Sequence, residues 1–281
     1  MHSSQELVSQ IEVLTSLPDV YERVRAQVDA TDGSIAEVAR LVGADPALSA
    51  RLLRLVNSAL YGQRGRIDDV LRAVTLLGLH QVHDLVLAMS LQATFAGIRP
   101  ARLDMQRFWR SSLLTGLAAR AAAQAAAQPM GERLFVIGVL SDIGHLVLYQ
   151  TVPELAAMAQ READAGRDTL DAAERRIVGC DFAEVGAALM DRWQLPDRFA
   201  GAIGTQMLPR LGGAFAADAA ALHLARRIAE ADAKGEASTD AAASVAADVW
   251  PLIGLAPEQL GAIREEAELN LAAYLALFFP R

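Results

Sequence analysis

Apolar residues recur at helical spacing along nearly the whole chain, and the pattern is sharpest between Ala44 and Gly62. There Leu48, Leu52, Leu55, Val56 and Ala59 fall at i, i+4, i+7, i+8 and i+11, one stripe of a single helix. Asp45 is placed to cap it, because a carboxylate accepts from the free amides of a first turn. Pro46 suits the first helical position, where a missing N–H costs nothing. Asn57-Ser58 and Tyr61-Gly62 close the helix with a polar tip and a glycine that tolerates positive φ. Upstream, the pattern predicts a helix from Pro18-Asp19 to about Ala30, with Val20, Val24 and Val28 facing inward. A short helix over 35–42 follows, opened by a capping box of Ser34 and Glu37 and ended at Gly43. Downstream, Asp68 is placed to cap a helix through Leu77, and after Gly78 another runs to about Phe95. Gly97-Ile98-Arg99-Pro100 is the clearest interruption of this half, short enough to be a joint rather than a linker.

The second half reads the same way. An alanine-rich helix is predicted from Asp104 to Gln128. From Leu134 to Tyr149, apolar residues cover more than one face, the pattern of one central helix enclosed by others. Pro153 and Thr169 open further helices, and Asp181 caps another with Val185, Leu189 and Trp193 on one face. Helices from Asp197, over Ala214–Ala231 and from Pro257 complete the chain, with the polar stretch Ala233–Ala243 read as a loop. No long repeat suggests a solenoid. The fold class is all-α.

Composition sharpens this picture. Hydrophobic residues make up 53% of the 281, many of them alanine, and aromatics only 5%, which favours helix throughout. The net charge is −8 and Lys234 is the one lysine, so positive charge is nearly all arginine. An acidic balance argues against a general nucleic-acid binder, which needs a basic face to displace counterions. The two short helices ahead of Asn57 have the order of a helix-turn-helix, but Leu48, Leu52 and Val56 commit one face to core. Cys180 is the only cysteine, which excludes an intrachain disulfide or a cysteine-based zinc site. The first residues lack a secretion signal and no long uncharged apolar run marks a membrane span, so the expectation is a cytoplasmic protein.

The sharpest stretch also carries a resemblance. Asp45-Pro46, Leu48, Leu52-Leu53, Val56-Asn57-Ser58-Ala59 and Tyr61-Gly62, followed by Ile67, Ala73-Val74 and Leu76-Leu77-Gly78, resemble the signature of the HDOD family. That family is a bacterial signalling relative of the HD-domain phosphohydrolases. The resemblance spans about residues 10–230 and implies an HD-like multi-helix bundle with an N-terminal helical subregion. On that basis residues 1–98 form the subregion carrying the signature. Residues 99–281 form a degenerate HD-like subregion with a C-terminal helical extension.

In catalytic HD domains, histidines and aspartates from several helices hold metals that activate water. By the resemblance, the first histidine position is Ser111, the His-Asp pair is Ser141-Asp142, a further histidine is Phe182, a later pair is Gln206-Met207, and the final aspartate is Arg226. Asp142 alone keeps a ligand, so no metal, cofactor or catalytic residue is expected. His145 is expected to hydrogen-bond Asp142, His80 and His83 to lie on a half-exposed helix face, His223 to pack at a helix surface, and His2 to be unstructured. Ser111, Ser112 and Ser141 lack a nucleophile elbow and read as small helix-packing residues. The resulting expectation is a non-catalytic adaptor that binds signalling proteins through Asn57, Ser58, Tyr61 and Gly62. One alternative is a binding module for a small anion or cyclic nucleotide, using Arg51, Arg54, Arg64 and Arg66, since arginine suits bidentate phosphate recognition. The other is a residual metal-dependent phosphohydrolase.

Overall fold

The structure is a computed structural model, and it describes residues 1–11, 18–30, 33–57, 65–95, 103–128 and 131–278. Only helices are found among the described residues. In chain order they are α1 (Ser4–Ser9), α2 (Asp19–Asp29), α3 (Ile35–Gly43), α4 (Pro46–Val56), α5 (Val70–Leu77), α6 (Leu79–Phe95), α7 (Met105–Ala125), α8 (Gly131–Leu140) and α9 (Ile143–Thr151). Then come α10 (Pro153–Asp164), α11 (Leu170–Ile177), α12 (Phe182–Arg192), α13 (Asp197–Thr205), α14 (Ala216–Lys234), α15 (Ser238–Ser244), α16 (Val249–Ile253) and α17 (Leu260–Phe278).

The chain divides into two compact units, Leu17–Gly97 with Leu269–Arg281, and Met1–Ser16 with Ile98–Glu268. A simple cut near residue 98 therefore misplaces both ends of the chain. The N-terminal residues are tied to the larger unit by local bonding: the His2 amide donates to the Val178 carbonyl at 2.8 Å, and α1 buries Leu7 and Val8. His2 is thus held in place, contrary to expectation.

In the smaller unit, α4 forms as its sequence dictates. The Asp45 carboxylate accepts from the amides of Ala47 and Leu48, Pro46 opens the helix, and Leu48, Leu52, Leu55 and Val56 are buried. Two expectations need correction. Asp69 rather than Asp68 caps α5, accepting from the Leu71 amide at 3.0 Å. Ser34 caps α3, but the Glu37 carboxylate turns to Arg40 instead of closing a capping box. In α2 the buried positions are Tyr21 and Val24, with Val20 and Val28 only half-buried. His83 is buried, hydrogen-bonded to Asp84 at 2.9 Å and set against the Tyr21 ring, while His80 is exposed. The joint at 97–100 lies outside the described residues.

In the larger unit, two pairs of helices approach backbone to backbone. A Cβ on Gly138 of α8 would sit 2.7 Å from the Gly116 Cα of α7. A Cβ on Gly144 of α9 would sit 1.9 Å from the Phe182 carbonyl oxygen at the start of α12. The predicted single helix over 134–149 is two, α8 and α9, broken at Ser141-Asp142. Ser141 turns both its amide and its hydroxyl onto the Gly138 carbonyl, at 3.3 and 2.8 Å, in place of a regular helical bond. The stretch Arg133–Thr151 has the length and hydropathy of a membrane span, and 78% of it is buried inside the protein. The predicted loop over 233–243 is helical in part, since α14 runs to Lys234 and α15 follows after Gly235 takes a left-handed turn at φ +66°.

Candidate functional site

Each helix end that bears a resemblance-derived position is fixed by its own local chemistry. Asp142 precedes the first turn of α9. Phe182 opens α12 behind a capping box, in which the Asp181 carboxylate accepts from the Glu184 amide at 2.8 Å and Glu184 accepts from the Asp181 amide at 2.9 Å. Gln206 follows α13, and Arg226 sits midway along α14. The close approach at Gly144 then sets the start of α9 against the start of α12.

The result is a closed stack. The His145 ring lies on the Phe182 ring, centroids 4.2 Å apart and 13° from parallel. The Arg226 guanidinium lies over the Phe182 ring at 4.3 Å. Glu174 of α11 ties the stack down, with one carboxylate oxygen accepting from the Phe182 amide at 2.9 Å and the other 3.2 Å from His145 Nδ1. His145 therefore pairs with Glu174, not with Asp142 as expected. The physical reason is that α9 begins at Ile143, so Asp142 meets His145 only through the backbone bond from the His145 amide to the Asp142 carbonyl. Asp142 Oδ1 is buried without a hydrogen-bond partner.

Gln206 and Ser141 also meet, the Gln206 amide donating to the Ser141 carbonyl at 2.9 Å. The Gln206 backbone carbonyl in turn lies 2.9 Å from His223 Nδ1, which gives that half-buried histidine a defined partner. Ser111 lies half-buried on α7 and is not joined to this stack, while its neighbour Ser112 is fully buried and bonds the Phe108 carbonyl. Arg226 is only 13% exposed. Burial works against its charge, yet Asp142, Glu230, Glu174 and Asp171 hold its pKa above the ordinary arginine value. Asp181, fully buried, has its pKa raised to about 6, chiefly by burial.

These residues do not fit a hard divalent ion. Such an ion needs several oxygen or imidazole donors. Ser141 and Gln206 bond the backbone, Phe182 has no donor, and Arg226 brings a like charge. Among the described residues no three His, Cys, Asp or Glu side chains gather as a ligand set. Glu174 was missed in the sequence. Its signal was an acidic pair, Asp171 and Glu174, three apart on a short helix and both buried.

At the end of α4, Asn57 is committed within the fold. Its amide group donates to the carbonyls of Leu53 at 2.7 Å and Ile67 at 2.6 Å, and its oxygen accepts from the Ile67 amide at 2.8 Å. Ser58, Tyr61, Gly62 and Arg64 lie outside the described residues. Arg54 and Arg66 border an open cleft of about 890 Å³ that is also lined by Asn57 and Asp68. Arg51 is half-buried, and burial together with the neighbouring Arg54 lowers its pKa.

Comparison with known proteins follows the geometry. An HDOD domain protein of unknown function from Geobacter sulfurreducens superposes with a TM-score of 0.79 at 21% identity, covering 99% of this chain and 97% of that one. A protein of Shewanella amazonensis SB2B, named a putative phosphohydrolase, superposes at 0.74 with 26% identity, covering 99% and 98%. An uncharacterised protein of Treponema pallidum is 26% identical over 195 residues, which is 68% of this chain but only 37% of that longer protein. The family model for the HDOD domain matches residues 14–209, and this chain belongs to the HDOD family.

Proposed function

We propose that this protein is a non-catalytic regulatory adaptor that works by protein–protein contact on a degenerate HD scaffold. The observation that supports the reading is the stack of His145, Phe182 and Arg226, two of whose members, Phe182 and Arg226, stand at ligand positions by the resemblance. Metal-assisted hydrolysis needs an ion with open positions for water and substrate. A ring held between an imidazole and a guanidinium offers neither. The phosphohydrolase name of the Shewanella relative is the competing reading. Elemental mass spectrometry of protein purified without chelator, followed by a phosphodiester substrate panel, separates the two. The adaptor reading expects no stoichiometric metal and no turnover. Stoichiometric iron, manganese or zinc, with turnover lost in Asp142→Ala, would overturn it. The contact surface assigned to Ser58, Tyr61 and Gly62 is tested by capture with wild type and Tyr61→Ala, and an identical set of captured proteins would move the surface elsewhere.

A second reading has its own observation, the cleft bordered by Arg54 and Arg66. Its size suits a nucleotide, and two guanidiniums suit a phosphate. A thermal-shift screen with cyclic dinucleotides and inorganic phosphate checks it, because a ligand selective for the folded state raises the midpoint.

A further inference from the structure

The donor set at this site is wrong for a metal; Arg175 balances Asp171, His145 balances Glu174 only when protonated, and Asp142 Oδ1 has no partner. Glu174 is buried to within 2% of full exclusion, Asp171 is buried, and Asp142 Oδ1 is shut away without a hydrogen bond. A buried carboxylate without compensation is costly enough to neutralise itself or to unfold the site. One buried cation, Arg226 of α14, lies within electrostatic reach of Asp142, Glu174 and Asp171. Arg226 donates to Glu230 Oε1 at 3.0 Å and to the Met207 sulfur at 2.8 Å, and its face is seated on Phe182.

We infer that Arg226 is the resident cation of this site, its guanidinium clamped on Phe182 and supplying the positive charge that balances Asp142 and Glu174. The inference rests on the adaptor reading only in taking the site to be free of metal. Three features make arginine the residue able to do this. Its charge is permanent, its flat face stacks on an aromatic ring, and its several N–H groups reach partners at different angles. The ring that blocks a metal ligand at Phe182 is also the surface on which the replacing charge rests. Substitutions at the two positions are thus coupled: Phe182 without a cation would leave the carboxylates bare, and Arg226 without the ring would lose its seat. The other charged groups nearby already have partners. His145 pairs with Glu174, Arg175 with Asp171 and Asp181, and His223 with the Gln206 carbonyl.

The test is a double-mutant cycle on thermal unfolding. Arg226→Gln should lower the midpoint by about 5–15 °C, the scale for breaking a buried charge pair in a chain of this size. Asp142→Asn should cost less in the Arg226→Gln background than in wild type, because the carboxylate it removes no longer has its counter-charge. Arg226→Lys, which keeps the charge and loses the stacked face, should fall between wild type and Arg226→Gln. A midpoint unchanged in Arg226→Gln, or an Asp142→Asn effect identical in both backgrounds, would overturn the assignment. Should Arg226→Gln fail to fold, the cycle is run with Arg226→Lys, where wild-type-like coupling is expected and its absence refutes the assignment. Metal content and turnover play no part in this readout, so its failure is distinct from failure of the adaptor reading.

Discussion

Gly144→Ala tests whether the site is held by backbone contact. The added Cβ would lie 1.9 Å from the Phe182 carbonyl oxygen, 2.8 Å from its carbonyl carbon and 2.9 Å from the Gly186 nitrogen. Ordinary contact begins near 3.4 Å, so the start of α9 must withdraw from α12 by about 1.5 Å. Every obstructing atom is backbone, so no side-chain rotation relieves the clash. Forced overpacking of this kind costs about 1–3 kcal/mol. A gap of roughly 0.5–1 Å forfeits a quarter to a half of each dispersion well, so a withdrawal of this size also loosens the His145–Phe182 stack. The cost is thus about 1–3 kcal/mol, or a midpoint lowered by about 2–12 °C. The assay is urea unfolding followed by circular dichroism, with Gly43→Ala as a control. A Cβ at Gly43 meets no atom within 4 Å, and that residue ends α3 in helical conformation. The control should gain about 0.5–1 kcal/mol. A Gly144→Ala protein within about 0.5 kcal/mol of wild type would show that α9 and α12 are not in backbone contact, and the geometry of the stack would fall with it.

Three further outcomes follow from individual groups. Asp181→Asn keeps the helix cap and removes a carboxyl whose pKa burial raises from 3.8 to about 6, so the folded state binds that proton more tightly than the unfolded chain. Its stabilising contribution is present below about pH 4 and lost as pH rises through about 6. The variant should therefore gain about 3 kcal/mol on wild type between those limits, and parallel stability curves would refute this. The Cys180 thiol is buried and pushed up to about 12, first by burial and then by the carboxylates of Glu184, Asp181, Glu174 and Glu6. Since the thiolate is the reactive form, a thiol reagent should label it only on unfolding, and equal native and denatured rates would contradict that. Asn57→Ala removes three hydrogen bonds that tie the end of α4 to Ile67 and should cost about 1–3 kcal/mol in thermal unfolding. Asn57→Asp keeps the acceptor for the Ile67 amide and should fall between, whereas two neutral substitutions would free Asn57 for partner contact.

What the sequence made legible was local. Asp45-Pro46, Asp104 and Asp181 all open helices where their spacing predicts, because a cap is decided within three residues. Asp68 and Asp69 show the limit of that reasoning. Either carboxylate could reach a first turn, and because the helix begins at Val70 it is Asp69, with its extended backbone, that stands at the cap. The helix over 238–244 was hidden by its polar start, although its alanines favour helix and Ala241 and Ala242 are buried. The break at Ser141 could not be seen in periodicity, because apolar positions continue through it and a hydroxyl bonded to Gly138 decides the matter. The joining of the first described residues, 1–11, to the larger unit depends on contacts distant in sequence, such as His2 with Val178. The resemblance pointed to Asp142, Phe182 and Gln206, whereas the Asp171–Glu174 spacing on one helix does not say that Glu174 pairs with His145 of another.

Backbone contact is enough to set the geometry of this site. In a metal centre the binding energy of the ion is part of the folding energy, so losing donors would be expected to loosen the bundle. Here the helix ends are brought together by glycine contacts at Gly116–Gly138 and Gly144–Phe182, which need no ion. That leaves only the polar groups to be satisfied. Ser141 satisfies itself on the Gly138 carbonyl and Gln206 donates to the Ser141 carbonyl, each replacement bonding to the backbone that positions it. Glu174 is met by the Phe182 amide and by His145, but Asp142 Oδ1 finds no donor, so a cation from another helix is the remaining source of compensation. Arg226 is placed to do so because α14 crosses behind Phe182, and an aromatic ring is among the few surfaces on which a desolvated guanidinium is stabilised. Phe182 and Arg226, two positions the resemblance assigns to the ligand set, are direct neighbours. A change at either position of this pair therefore alters the surroundings of the other.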